Sequence, residues 1–216
     1  MGALSSRVTG IAGLIFVIFT AIGITIAFDQ PDTDAPDQKW LDYARDDSNL
    51  FRNIAGGYLI VIAAIAFIVF LIGMYQLLNR LNEGGGWALV MVGSGVAWAA
   101  SLAIGAILID TIPGAIEFGS APEPTAETAR WMGQVGFGVM LAAGGLFAAF
   151  TTAVTSGLIL KTKALPGWLG YFGFLAAIAM CAAAVFVPMI IYGLWMLALG
   201  VVLVLRGDQV PAAATA

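Results

Sequence analysis

The chain of 216 residues contains no histidine and a single cysteine, and only 10% of its residues are charged. Without histidine it lacks the side chain that most often shuttles protons near neutral pH and most often ligates transition metals. The lone Cys181 excludes an intrachain disulfide and leaves the redox compartment unread. A net charge of −4 excludes the basic footprint of a nucleic-acid-binding domain. Soluble domains carry roughly 25% charged residues, so a water-soluble globule of this composition could not cover its own surface.

What the chain does have is apolar length. Hydrophobic residues make up 61% of it, and its mean hydropathy is +0.96. About 20 apolar residues cross the roughly 30 Å of hydrocarbon in a bilayer. Uncharged runs give spans at about 8–28, 53–79, 87–109 and 131–160. Between Trp168 and Arg206 lie 37 uncharged residues, which as one helix would reach about 55 Å. Such a run must fold back, and Pro188, which lacks an N–H, marks the turn. This gives spans at 168–187 and 188–205, with a kinked fifth span and a re-entrant piece as the alternative. The first run is too long for a signal-peptide core and has no A-x-A site before Asp29, so it reads as a retained span.

The expected fold is therefore a single all-α transmembrane bundle over 1–216, with outer loops at 29–52 and 110–130. Short segments beside span ends carry Arg7, Arg80, Lys161, Lys163 and Arg206, and the longer loops carry Lys39, Arg45, Arg52 and Arg130. Positive charge on short loops resists translocation. That makes Lys161 and Lys163 cytoplasmic anchors and places both termini inside. Trp87, Trp131 and Trp168 begin spans, where the indole suits the interface, whereas Trp98 and Trp195 fall mid-span and should pack against other helices.

The first outer loop contains "DQKWLDYARDDSNLF", with Trp40, Tyr43, Ala44, Asp47, Leu50 and Phe51 at three-and-four spacing, an apolar stripe apart from Asp47. It reads as a short surface helix capped by Asp37, or as a loop with chance periodicity. The segments "AIGITIAFDQP" (21–31) and "AIGAILIDTIP" (103–113) hint that the first two spans repeat as the third and fourth. Along the third span Gly93, Ala97, Ser101 and Gly105 recur every four residues; on the fourth, Gly138 and Ala142, and Gly145 and Ala149, do the same. Small residues at this spacing let helix backbones approach closely, within the chain or against a second copy.

Chemistry-bearing groups are sparse. Asp29, Asp32, Asp34 and Asp37 cluster, but counting from Asp32 puts Pro36 fifth, Asp37 sixth and Tyr43 twelfth, which fails the calcium-loop pattern. The plainer reading is a solvated acidic loop. Asp110 closes the third span, with Arg52, Arg130 and Gln134 opening their spans on the same side. These four would form a polar mouth, for interfacial ion pairing or for a solute. Thr151, Thr152, Thr155 and Ser156 can bond back to their own helix. No hydrolase, metalloprotease or phosphate-loop motif occurs, and "NEGGGW" lacks the lysine and hydroxyl of a P-loop. No enzyme activity, cofactor, metal or nucleic acid is expected.

The segments "LIGMYQLLNRLNEGGGWALVMVGSGV" (71–96) and "SGLILKTKALPGWLGYFGFLAA" (156–177), with Leu165, Pro166, Trp168, Leu169 and Gly170, resemble small six-span, actinobacterial-type membrane proteins known only as a domain of unknown function. The resemblance implies a fold and a bacterial inner-membrane location, and carries over no active residue. The residues themselves favour a non-catalytic accessory or scaffolding subunit whose acidic outer loops meet a partner. The alternative is a small transporter or a binder of lipid or other hydrophobic ligands.

Overall fold

A computed structural model describes residues 4–27, 30–79, 85–119, 122, 124–183 and 187–206, and among these every regular element is helical. The helices are α1 (Ser6–Ala27), α2 (Asp37–Arg45), α3 (Asp47–Asn79), α4 (Gly85–Gly119), α5 (Ala126–Phe137), α6 (Gly144–Thr162), α7 (Gly167–Met180) and α8 (Val187–Arg206). A π-helical turn, Gly138–Ala143, joins α5 to α6 in one continuous rod. Arg80 and Glu83, together with Asp29 and Asp208, lie outside the described residues.

Among the described residues five rods are long and apolar enough to cross a membrane: Ser6–Ala27, Asp47–Asn79, Gly85–Ile116, Ala126–Thr162 and Pro188–Arg206. The sixth, α7, is apolar but has 14 residues, about 21 Å. It ends at Met180, seven residues before the expected limit of 187, and Pro188 falls in the first turn of α8, where a missing N–H costs nothing.

Neighbouring legs run antiparallel in a closed ring, α1–α3–α4–(α5–α6)–α7–α8 and back to α1. Lipid gives no hydrophobic drive for helix association, so close packing has to supply it. Glycine supplies it here. A methyl group placed on Gly10 would lie 2.6 Å from the carbonyl oxygen of Gly200, which closes α1 on α8. Thr9 of α1 fills the notch left by Gly73 of α3, Leu71 of α3 covers Gly95 of α4, and Ser156 of α6 fills that of Gly173 of α7.

The repeat read from 21–31 and 103–113 has a structural counterpart. Gly23 and Gly105, third in each segment, would place a Cβ 2.8 and 2.7 Å from the carbonyls of Gly56 and Gly136 on the returning helix. Each returning glycine meets the seventh residue of its segment, Ala27 or Ile109, and Ile60 and Met140, four residues further on, cover Gly23 and Gly105. Two successive helix pairs thus share one contact.

Among the described residues, one contiguous apolar cluster packs the inside of the ring. Phe16, Phe67, Met74, Met91, Trp98, Leu102, Met140 and Trp195 are almost wholly buried inside it. Phe16 packs on Phe67 with ring centroids 4.6 Å apart and on Tyr192 at 6.3 Å. Trp195 donates its indole N–H to the Leu169 carbonyl at 2.9 Å. The three expected interfacial tryptophans, Trp87, Trp131 and Trp168, are all exposed.

Other boundaries also differ from the sequence reading: α3 already begins at Asp47 and α5 at Ala126. The segment after Asp110 is not loop: α4 continues through Pro113 to Gly119. The proline forfeits one backbone hydrogen bond, but Ile112 and Pro113 line a chamber with Trp40 and Met132, and that packing holds the extra turns. The helix within 29–52 does form, with Pro36 rather than Asp37 at its N-cap, and it packs on α5 and α3. Asp37 sits one place inside, where an acid complements the helix dipole.

The small-residue face of α4 divides along its length. Ser101 and Gly105 are buried in the seam with the α5–α6 rod, Ala97 is half-buried, and Gly93 is exposed with open space before it. Gly145 and Ala149 are buried, while Gly138 and Ala142 are exposed. Replacing Gly105 by Ala should destabilise the protein by about 1–3 kcal/mol through overpacking. Gly93→Ala should stay within about 0.5 kcal/mol of wild type. Thermal melts in a single detergent check the pair, and equal effects would contradict the assignment of the face.

Candidate functional site

The polar chemistry collects at one end of the ring, under α2. Asp46 ends α2 and caps α3: its Oδ1 accepts from the Ser48 hydroxyl at 2.6 Å and from the Ser48 backbone N–H at 2.9 Å. These bonds hold its carboxyl below the ordinary value of 3.8. Trp40 faces inward and is buried against Ala35 and Ala126. One turn on, Tyr43 and Asn53 hydrogen-bond through the Tyr43 hydroxyl, with 2.8 Å from Asn53 Nδ2.

Arg130, on α5, ties the preceding segment down. One guanidinium nitrogen donates to the Ala35 carbonyl at 3.0 Å and to Asp37 Oδ1 at 2.8 Å, and Cζ lies 6.0 Å from the centre of the Trp40 ring. Gln134, one turn further along, donates to the Thr33 hydroxyl at 3.1 Å. A methyl group on Gly133, between them, would lie 2.5 Å from Gln30 Oε1. One face of α5 is therefore a dock for residues 30–37.

The four residues expected to form a polar mouth are not gathered into one. Arg130 and Gln134 serve that dock. Asp110 lies on α4 with its carboxylate set into the notch of Gly57 on α3. Arg52 is half-buried near the start of α3, close enough to Asp46 to act on it electrostatically. Sequence reasoning missed Trp40 as an anchor, the Tyr43–Asn53 pair, Thr33 and Gly57. The usable signal for Gly57 was its place in "AGGY", four residues after Asn53.

Between α2 and the helix ends lies a chamber of about 30 Å³, lined by Gln30, Trp40, Tyr43 and Asn53 among apolar side chains. It has room for one or two waters. Gln30 Oε1, Trp40 Nε1, Asp110 Oδ1 and Arg130 Nε are buried at this end without a protein hydrogen-bond partner. A second, open groove of about 310 Å³ runs outside it, lined by Leu41, Ala44, Arg45, Asp47, Leu50, Ile116 and Pro124.

Of the acidic cluster, Asp29 lies outside the described residues, Asp32 and Asp34 are exposed, and Asp37 binds Arg130. Among the described residues no three His, Cys, Asp or Glu side chains gather as a metal site. At the opposite end the Leu4 N–H donates to Gln76 Oε1 at 2.7 Å, and Arg206 reaches the Ala164 carbonyl at 3.4 Å. Lys161 lies in the last turn of α6, where a cation complements the helix dipole. Lys163 caps that helix in a left-handed conformation, φ 53°. Thr151, Thr155 and Ser156 bond back to carbonyls four residues earlier, and the Thr151 hydroxyl also lies 2.8 Å from the Ser94 hydroxyl of α4.

The profile of a family described as a domain of unknown function, DUF4386, matches residues 8–207. No curated protein and no solved structure is similar enough to the chain to match it.

Two outcomes follow from this geometry. Arg130→Ala should free residues 31–36 and raise cleavage there by an aspartate-directed protease about tenfold, roughly 1.4 kcal/mol of local opening. Arg130→Lys, which keeps the charge but has a shorter reach and no planar guanidinium beside Trp40, should fall between. Unchanged cleavage would contradict the dock. Because the folded pKa of Asp46 is depressed, its contribution is present above the unfolded value near 3.8 and is lost as pH falls through the lower folded value. Ser48→Ala should move the Asp46 titration upward by NMR, with no shift contradicting the cap.

Proposed function

This chain belongs to the DUF4386 family, and from that premise we propose that it is a non-catalytic accessory or scaffolding subunit of a bacterial inner membrane. In this reading both termini face the cytoplasm and the acidic outer end meets a partner. The observation that carries it is the packed interior: Trp98, Trp195, Phe16 and Met140 are buried in one contiguous apolar cluster. Polar groups are spent on holding α2 and residues 30–37 in place rather than on lining a path. The exposed face of that end presents Asp32, Asp34 and Asp42, which suits a basic partner surface. Lys161, Lys163 and Arg206 gather at the other end beside the start of α1, as cytoplasmic anchors would.

The second reading is a small transporter or lipid-binding protein, and Asp110 set into the α3–α4 seam favours it, because ionisable groups at membrane depth are costly to keep. It requires Arg130 and Gln134 at the same mouth, and they are engaged elsewhere.

Purification from native membranes in mild detergent should recover a stoichiometric membrane partner. Replacing Asp32, Asp34 and Asp42 together by Asn should release it, with the melting temperature unchanged. Recovery of the lone chain, or a partner indifferent to the triple substitution, would contradict the proposal. A reporter fused to the C-terminus should be active only in its cytoplasm-dependent form.

A further inference from the structure

We propose that the edge formed by the start of α1, the end of α8 and the turn between α6 and α7 binds an anionic phospholipid with two phosphates, of the cardiolipin type. This does not depend on the scaffolding role: partner capture tests that reading, and lipid retention tests this one.

Placement comes first. A methyl group on Gly10 of α1 would lie 2.6 Å from the Gly200 carbonyl oxygen and 2.8 Å from the Val204 backbone nitrogen, so α1 and α8 meet backbone to backbone here. Leu203 of α8 lines a small crevice with Leu4 and Ser6 of the α1 end. Arg7 follows Ser6 and Arg206 lies three residues beyond Leu203, which puts both cations at one end of the same seam. Arg206 donates to the Ala164 carbonyl at 3.4 Å, next in the chain to Lys163, which caps α6 in the turn toward α7. The three cations thus follow one edge across two seams, and Arg206 is shared between them.

Charge and chemistry come next. Arg7, Lys163 and Arg206 are all exposed, and among the described residues no Asp or Glu lies at this end. Lys161 already has an interaction of its own, and the site does not draw on it. Guanidinium carries five N–H donors, so the single bond from Arg206 leaves others to give. Phosphate oxygens accept from guanidinium and ammonium groups, and basic sites between transmembrane helices suit headgroups with more than one phosphate. Three positive charges exceed what one phosphate neutralises. Two phosphates match them, one between Arg7 and Arg206 and one between Arg206 and Lys163. A zwitterionic headgroup would bring an ammonium among three cations. Exposed Val8 and Ile11 on α1, Val201 and Leu205 on α8, and Trp168 on α7 continue from the cations as apolar surface for acyl chains.

Native mass spectrometry of the detergent-purified full chain, titrated with cardiolipin, phosphatidylglycerol or phosphatidylethanolamine of identical acyl chains, tests the assignment. Wild type should retain cardiolipin about tenfold better than phosphatidylglycerol, and phosphatidylethanolamine least. Arg206→Gln should lower cardiolipin to the phosphatidylglycerol level, while Arg206→Lys keeps most of the preference. Arg7→Gln and Lys163→Gln should each weaken cardiolipin about fivefold, the effect of one basic residue at an anionic surface. Lys39→Gln, on exposed α2 at the opposite end, makes the same change in net charge and should alter nothing. Circular dichroism and melting confirm that each variant is folded. Equal retention of cardiolipin and phosphatidylglycerol by wild type would overturn the proposal. So would a loss from Lys39→Gln as large as that from Arg206→Gln, or displacement of the lipid by equimolar inorganic pyrophosphate.

Discussion

The structure depends on how closely two helix backbones can approach where neither carries a side chain. In lipid, apolar side chains gain nothing by leaving the solvent, so helices associate through packing contact and local polar bonds. Gly10 and Gly200, Gly23 and Gly56, and Gly105 and Gly136 bring backbone to backbone across three separate seams. At each of these a single methyl group would sit inside contact distance of a carbonyl oxygen. Where a glycine faces a side chain instead, the side chain is seated: Thr9 at Gly73, Leu71 at Gly95, Ser156 at Gly173 and the Asp110 carboxylate at Gly57.

Close seams leave an interior that side chains can fill. Phe16, Phe67, Met74, Met91, Met140 and the two mid-span indoles, Trp98 and Trp195, are buried inside the ring, and the indoles are the largest of them. Polar groups are pushed to the ends as a consequence. One end uses them to hold α2 and residues 30–37, through Arg130, Gln134 and the Tyr43–Asn53 pair, and the opposite end carries Lys161 and Lys163. The same glycine contact in α1–α3 and in α4–α5 accounts for the two alike segments as one packing unit used twice. The π-helical turn begins two residues after the second copy of that contact and carries Met140, which covers Gly105.

Much of this architecture is legible in residue order because the bilayer constrains it. Runs without charge had to be spans, Pro188 had to lie near a break, and Trp98 and Trp195 had to be inside. The boundaries were harder. A proline and two glycines after Asp110 read as loop, and only the burial of Pro113 beneath α2, a tertiary fact, keeps the helix going. Four-residue spacing of small side chains located the seam at Ser101 and Gly105 but ran on to Gly93, which faces outward, because periodicity does not say where a neighbouring helix diverges. The site under α2 was legible only as a set of residue types. Arg130 and Gln134 are four apart on one face of α5, yet their partners Ala35, Asp37 and Thr33 lie roughly a hundred residues earlier, and no local pattern connects them.

Closure of the ring between its first and last helices tests the account most directly. Gly200 lies against Leu14, so a methyl group there would sit 3.0 Å from Leu14 Cγ. Cysteines at Leu14 and Gly200, in a chain with Cys181→Ser, would then place their Cβ atoms near the roughly 3.5–4.5 Å of a disulfide. The shorter side chain at position 14 removes the clash. Oxidation in native membranes should give an intramolecular product that migrates faster on a denaturing gel and reverts with reductant. A chain that gives no such product, or only bridges between two copies, would mean that α1 and α8 do not meet and that the ring does not close.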